Sequence, residues 1–343
     1  MKAHLLRKIL READTISECL LLDEIKLPVI GDEEIMIKVE SCGICHTDLD
    51  EIEGRLIPSK LPIVLGHQIV GIVKEKGKFV KAFEIGDRVG IGWINKACGC
   101  CYFCKNGYEN LCYNFVATGK DVDGGYTEYT KVHEKYAFKI PNNFDSYTAA
   151  PLMCAGGVGF RSLKLASIKN GQSLALTGFG ASGHLVLQVA KYLYPDSEIF
   201  VFARSKEQRE LAITLGATAA FDYVYDFKEK VHAVIDTTPV WHTIVHALAI
   251  LERGGRLVIN AIRKEDIDKA ILQNVNYETH LWQEKVIKSV ANVTKKDIEE
   301  FLHIASMIPI KPSIEIYSFE ELTKALVELK SGKIKGAKVL KVN

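Results

Sequence analysis

From residue 173 onward the sequence alternates short apolar runs with amphipathic stretches, and that alternation leaves few folds open. Residues 173–177, 198–203, 233–236 and 256–261 read as strands, and 182–193, 206–215 and 241–251 read as helices. Strands apolar along their whole length and separated by helices form a parallel sheet covered on both faces. The first strand runs directly into Gly178-Phe179-Gly180-Ala181-Ser182-Gly183, a G-x-G-x-x-G turn that opens the first helix. Alone, that pattern is an ordinary glycine-rich turn. Between a strand and a helix it has a mechanism. The glycines permit a tight turn and a close backbone approach to a pyrophosphate, and the helix N-terminus offers unpaired N–H groups to it. Gly178, Gly180 and Gly183 are therefore expected to cradle a dinucleotide in a Rossmann-type, doubly wound domain.

A site for NAD usually carries Asp or Glu about 20 residues further on, to hold the ribose 2′-OH. Here the second strand ends Phe202-Ala203-Arg204-Ser205, with no carboxylate in place. Arg204 is suited to clamp a 2′-phosphate and Ser205 to donate a hydrogen bond to it. The plainer reading makes Arg204 a solvated loop residue. On this argument NADP is favoured over NAD.

Upstream, the pattern is different. Residues 35–40, 69–75, 88–93 and 126–131 are β-type runs punctuated by Gly, Pro and Asp, which predicts a mostly antiparallel β domain over 1–150. A helix over 146–165, interrupted at Gly156-Gly157, leads into the cofactor domain, 151–290. The tail, 291–343, reads as a helix at 296–308, a strand at 313–317, a helix at 319–329 and a strand at 337–342. The last strand is expected to return to the first domain. An edge strand near 286–290 could pair across a two-fold axis.

Bulk properties narrow the function classes. The chain has 343 residues, enough for two domains, with 48% apolar and 25% charged residues and a formal net charge of +1. Interspersed acids and bases argue against a nucleic-acid binder, which carries a basic stripe. Residues 1–10 mix Lys2, His4, Arg7 and Lys8 with apolar pieces, unlike a signal peptide, and no stretch reaches membrane-span length. A cytoplasmic protein with no membrane partner is expected. Five of the nine cysteines fall between Cys98 and Cys112, a clustering that reads as metal binding rather than as a disulfide framework.

Cys98, Cys101, Cys104 and Cys112 give the spacing C-x2-C-x2-C-x7-C, which can wrap one tetrahedral zinc in a lobe over about 95–113. A closed four-Cys site leaves no open position, so its job is structural. Cys100 competes with Cys101 as a ligand. An iron–sulfur cluster also uses four cysteines, and a zinc ribbon can bind nucleic acid, although Lys96 and Lys105 give this lobe only modest basic character.

Three further segments carry a resemblance. They are Cys42-Gly43-Ile44-Cys45-His46-Thr47-Asp48, then Gly66-His67-Gln68-Ile69-Val70-Gly71 continuing to Gly86-Asp87-Arg88-Val89, then Ala150-Pro151-Leu152-Met153-Cys154-Ala155-Gly156. With the cysteine lobe and the glycine-rich turn in order, essentially the whole chain resembles the zinc-dependent medium-chain alcohol dehydrogenases. The resemblance implies a GroES-like catalytic domain and two zinc ions per subunit, with hydride transfer between a small alcohol or aldehyde and the nicotinamide. It implies a homodimer or homotetramer. It places the catalytic zinc on Cys45, His67 and Cys154. Two thiolates and one imidazole leave a fourth position open for water or substrate, which fits a reactive zinc. Taken singly, each of the three is equally readable as a buried core residue.

By the same resemblance Thr47 hydrogen-bonds the substrate oxygen, although Ser and Thr also cap helices. Asp48 accepts from the second nitrogen of His67. His46 lies near the pyrophosphate, and Trp93 walls the substrate pocket, although a Trp on a strand is otherwise core. Two positions depart from the family. Many members have Glu where this chain has Gln68, so the metal here should be somewhat more electrophilic. Many have a proton-relaying His where this chain has Asp50, and a carboxylate with an ordinary pKa of about 3.9 is a poorer acceptor near neutral pH. Two other functions stay open. One is a zinc-free quinone or enone reductase on the same fold, whose members generally lack these ligands. The other is a non-enzymatic zinc- and nucleotide-binding protein. Aromatic and medium-length aliphatic alcohols both remain candidate substrates.

Overall fold

The computed structural model describes residues 1–222, 227–332 and 336–343. The chain divides into two compact units. The first comprises Met1–Cys154, Asn292–Ser306 and Pro312–Asn343, and the second Ala155–Ala291 and Met307–Lys311.

Glu34–Ile44 is the spine of the first unit. Gln68–Lys76 runs antiparallel along it, and Arg88–Ile91 and Ala137–Lys139 follow on that side. On the other side Ala337–Lys341 pairs antiparallel, with Ile314–Tyr317 parallel beyond it. The C-terminal strand thus returns to the N-terminal sheet, setting Leu340 against Cys42 and Lys338 against Ile44. Ile35, Ile37, Val39, Ile69, Val73, Val89, Ile91 and Leu340 share one core. The register slips between Val39 and Ser41. Such irregularities bend a strand, and beyond this one Ser41 to Ile44 are all buried. The spine therefore carries the chain into the interior immediately before Cys45.

The second unit is a six-stranded, all-parallel sheet. Its order is Ala219–Phe221, Ile199–Phe202, Leu174–Thr177, Val231–Asp236, Leu251–Ile259 and Val286–Ser289. In sequence order that is third, second, first, fourth, fifth and sixth, a doubly wound arrangement. The helices Ala155–Ala166, Ala181–Leu193, Lys206–Thr214 and His242–Ile250 accompany it. Val286–Ser289 is an edge strand with every residue exposed. Among the described residues no helix is long and apolar enough to cross a membrane.

The structure differs from the sequence expectation in several places. The strand expected at 256–261 begins at Leu251 and ends at Ile259, directly after the helix His242–Ile250. Ala219–Phe221 adds a strand too short and too half-buried to show an apolar run. The helix expected to break at Gly156-Gly157 breaks instead at Cys154, between a 3-10 turn at Ala150–Met153 and the helix Ala155–Ala166. Glycine here serves contact. A Cβ at Gly159 would stand 2.6 Å from Val186 Cγ2, so this helix lies tightly on Ala181–Leu193.

Candidate functional site

Cys45 ends the buried strand and serves as N-cap of the helix His46–Ile52. Thr47 is therefore the second residue inside that helix, which removes the capping explanation for it. His67 follows Gly66, whose φ is +92°, and a Cβ at Gly66 would lie 2.8 Å from the Tyr126 ring. Only glycine makes that turn in that space. Cys154 has φ −130° and ψ −71°, off the helical path, so it sits at the break between two helical turns.

These three positions converge. One donor atom from each of Cys45, His67 and Cys154 lies within 4.8 Å of the others, and Cys45 Sγ is 3.3 Å from His67 Nε2. Zinc–ligand lengths give tetrahedral edges of about 3.5–3.8 Å, so the set matches a zinc centre. The charges support the fit. The neighbouring Cys154 thiol and burial push the Cys45 thiol well up. Burial alone would lower the pKa of His67, but the nearby Cys45 and Asp48 outweigh it and hold it well above the usual imidazole range. Donors so arranged resist ionising together until a cation joins them.

The surroundings orient the donors. Asp48 Oδ2 accepts from Cys45 N at 2.8 Å, and Asp48 Oδ1 is 3.4 Å from His67 Nδ1, within ion-pair range but not a formed hydrogen bond. Trp93 is buried and meets His67 edge-on, with ring centroids 5.0 Å apart at 87°. Gln68 is buried, and a Cβ at Gly43 would lie 2.9 Å from its side chain. His46 is exposed at the first turn of the helix. Asp50 is buried and accepts from Arg55 Nε at 2.7 Å. One neighbour was missed from sequence. Glu51 is fully buried on the same short helix, with both carboxylate oxygens unpartnered, and burial together with Asp48 pushes its pKa well up. The acidic run Asp48-Leu49-Asp50-Glu51 reads as a solvated face, so no local signal marked it.

The cysteine lobe forms a second group. Donor atoms of Cys98, Cys101, Cys104 and Cys112 lie within 4.8 Å of one another, with Cys98 Sγ 3.4 Å from Cys112 Sγ and 3.9 Å from Cys104 Sγ. Cys101 N donates to Cys98 Sγ, and Cys98 N and Asn114 N donate to Cys112 Sγ. Backbone N–H groups of Cys100 and Cys101 lower the Cys98 thiol to about 6, whereas burial raises Cys104 to about 12. Cys100 is exposed and stands outside the group. Four thiols presented to one point suit a closed zinc site.

In the second unit each glycine of the turn has its own circumstance. Gly178 has φ +83°, and a Cβ there would lie 2.5 Å from Thr237 Oγ1. Gly180 caps the helix and faces open space. A Cβ at Gly183 would stand 2.8 Å from Gly178 O, so this residue seats the helix on the turn. His184, fully buried, has Nδ1 3.0 Å from Gly180 O. Arg204 is exposed just past the second strand. Ser205 caps the next helix by accepting from Gln208 N, and its hydroxyl donates to Glu207 at 2.5 Å. That proton is thus already placed, so a 2′-phosphate there must displace Glu207.

Comparison with known proteins gives the same class. The family model of the alcohol dehydrogenase GroES-like domain matches residues 31–142, and that of the zinc-binding dehydrogenases matches 181–306. A probable alcohol dehydrogenase of Mycobacterium tuberculosis is 38% identical over 92% of this chain and 90% of its own. An alcohol dehydrogenase of Geobacillus stearothermophilus is 36% identical over 94% of this chain and 95% of its own. The solved structure of CAD from Helicobacter pylori complexed with NADP(H) superposes with a TM-score of 0.86 at 25% identity, covering 99% of this chain and 97% of that one. The chain belongs to the zinc-dependent medium-chain alcohol dehydrogenase family, with its GroES-like and Rossmann-type domains.

Proposed function

We propose that this chain is an alcohol dehydrogenase and aldehyde reductase that moves a hydride between a primary or secondary alcohol and NADP(H), with NAD(H) the poorer cofactor. The convergence of Cys45, His67 and Cys154 carries the reading, because three donors leave a tetrahedral zinc one position for substrate. Zinc bound there supplies Lewis acidity, easing ionisation of an alcohol or polarising a carbonyl. The nicotinamide supplies the hydride chemistry. A second zinc on Cys98, Cys101, Cys104 and Cys112 would be structural.

The chain's own residues do the rest. Asp48 orients the His67 ring through its Nδ1 side, leaving Nε2 for the metal. Thr47 bonds the substrate oxygen and starts the proton's exit, with Asp50 as the carboxylate further out. Trp93 limits substrate width. Gly178, Gly180 and Gly183 take the pyrophosphate, a role the family resemblance extends to His46. Arg204 favours the 2′-phosphate, supported by its exposure and by the lack of a carboxylate in the Phe202–Ser205 segment. The all-exposed edge strand Val286–Ser289 supports pairing of two copies as a homodimer, on which a tetramer could build. Nine cysteines, six of them in the two proposed zinc groups and none in a disulfide, suit the reducing cytoplasm.

The test is a panel of aromatic and aliphatic aldehydes with NADPH and with NADH, run beside a zinc assay. We expect turnover, zinc at both sites and a higher kcat/KM with NADPH. No turnover by fully zinc-loaded protein rejects the reading, while an NADH preference rejects only the role of Arg204.

A further inference from the structure

At the carboxyl end of the parallel sheet lies a buried ion pair that the roles above do not use. The strand order reverses between Leu174–Thr177 and Val231–Asp236. A doubly wound sheet takes its ligand in the crevice at that reversal. Asp236 is the last residue of the strand on one side of it and is fully buried. Its Oδ1 accepts from Thr177 Oγ1 at 2.5 Å, across the reversal, and from Thr238 Oγ1 at 2.9 Å. Its Oδ2 accepts from Lys264 Nζ at 2.5 Å.

Lys264 belongs to the loop that follows Leu251–Ile259, and its side chain is only 7% exposed. The ammonium also donates to Thr238 O at 2.8 Å and Val240 O at 3.0 Å. Its donors are thus divided between the strand end and the backbone of the loop after the fourth strand. The same two loops are joined by Glu265 N donating to Pro239 O, and by Asp268, which accepts from the backbone N–H groups of Trp241 and His242. Thr237, in the fourth-strand loop, donates to Thr177 O at 3.0 Å, and it is the residue against which Gly178 turns.

Such a pair is an expensive way to gain stability, since apolar residues of equal volume hold loops together as well or better. What it adds is direction. An ammonium shared among one carboxylate and two carbonyls fixes the path of both backbones. The pair also sits on one side of the ligand crevice. The first three strands, with the glycine-rich turn and Arg204, serve the adenosine half of a dinucleotide, and the strands beyond the reversal serve the other half.

We infer that Lys264 and Asp236 form a latch that fixes the loops after the fourth and fifth strands as the seat of the nicotinamide half of the cofactor. Both are positioning residues, and the inference rests on the dinucleotide reading above. Lys264→Met combined with Asp236→Asn removes the latch without stranding a buried charge. Lys264→Gln combined with Asp236→Asn, which keeps amide donors and likewise strands no charge, gives a milder second variant that is read alone if the first does not fold.

The zinc-loaded full chain is titrated with NADPH and, separately, with 2′-phospho-ADP-ribose, which lacks the nicotinamide. We expect NADPH to bind the double variant about tenfold more weakly while the fragment stays within about twofold, with zinc content unchanged. Equal weakening of both ligands makes the pair a general support of the unit and overturns the latch. Unchanged NADPH binding overturns it as well. Where the parent prefers NADH, the same comparison is made with NADH and ADP-ribose, and a parent protein that binds none of the four ligands removes the dinucleotide reading and the latch with it.

Discussion

Cys98, Cys101, Cys104 and Cys112 come from one short segment, whereas Cys45, His67 and Cys154 are gathered from three distant parts of the chain. The lobe provides for its own thiolates. Backbone N–H groups within the segment pull Cys98 down to about 6. At the other centre the charge of His67 favours the Cys45 thiolate but is outweighed. That thiol is pushed up by Cys154 and by burial, at the end of a strand that enters the core. A site made of neighbouring residues needs little from the fold, and one assembled across the core exists only when the fold does. The first arrangement suits a brace and the second suits a metal whose open position is to react.

Exchanging one donor in each site should separate these roles most sharply. Cys45→Ser is expected to lower kcat by about 10³ or more, because the metal's charge stabilisation is worth several kcal/mol. Its melting temperature should stay near the parent's. Cys112→Ser should do the reverse, lowering the melting temperature by about 5 °C or more while initial kcat per folded chain stays close to normal. Paired calorimetry, zinc assay and initial rates decide this. A Cys112→Ser protein with full stability and no activity would invert the assignment.

Thiol reactivity gives the next largest contrast. In zinc-stripped protein at pH 7, a Cys98 thiol of about 6 is mostly thiolate, while Cys45, held well above 9, is under about 1% ionised. Alkylation follows the thiolate, so Cys98 should label at least about tenfold faster than Cys45. The Cys98 rate should level off above pH 7, and the Cys45 rate should still be rising at pH 9. Peptide mapping of iodoacetamide adducts measures both. Equal rates would mean that the backbone donors of the lobe do not act as drawn.

How far each region can be read in advance follows from the same contrast. The cysteine spacing and the glycine-rich turn are local patterns, and each carries its mechanism in a dozen residues. The parallel sheet is legible for the same reason where its strands are apolar along their length, as Leu174–Thr177 and Ile199–Phe202 are; Ala219–Phe221, with three half-buried residues, is not. Cys45, His67 and Cys154 have no local signature and are joined only by a resemblance running the length of the chain. Glu51 and the pair Lys264–Asp236 escape both routes. Each looks like ordinary surface charge until packing buries it. The break at Cys154 was misplaced because glycine in a sequence does not say whether it ends a helix or lets another helix approach.

Asp48 tests whether the assembled centre depends on its supports. It touches Cys45 through a backbone hydrogen bond and His67 through an ion-pair contact. Asp48→Asn keeps the shape and removes the charge. The loss should be about 10–100-fold in zinc affinity or kcat, the usual cost of disturbing a ligand's orienting partner. In the cysteine lobe the sulfurs of Cys98 and Cys112 are held instead by backbone N–H groups, which side-chain exchange leaves in place. Competition with a zinc chelator measures the difference directly, and an unchanged zinc affinity and kcat would leave Asp48 as helix structure only.

Asp50 should give the smallest effect, and the reason is its partner. It lies two residues beyond Asp48 on the same helix, but its carboxylate is engaged by Arg55 Nε at 2.7 Å, and Arg55 is one-third exposed. A carboxylate in that contact must weaken an ion pair each time it takes a proton, which works against fast relay. Asp50→Asn keeps the side-chain shape, and the one-third-exposed guanidinium keeps its contact with Glu53 and can rehydrate, so stability should fall by no more than about 1 kcal/mol. If the substrate's proton leaves through Asp50, alcohol oxidation in the variant slows, most at low pH where hydroxide, the competing base, is scarcest. Given the Arg55 contact, we expect a loss of only about two- to threefold at pH 6 and none at pH 9. A loss as large as that of Asp48→Asn would make Asp50 a working part of the centre and would place Arg55 in the proton path with it.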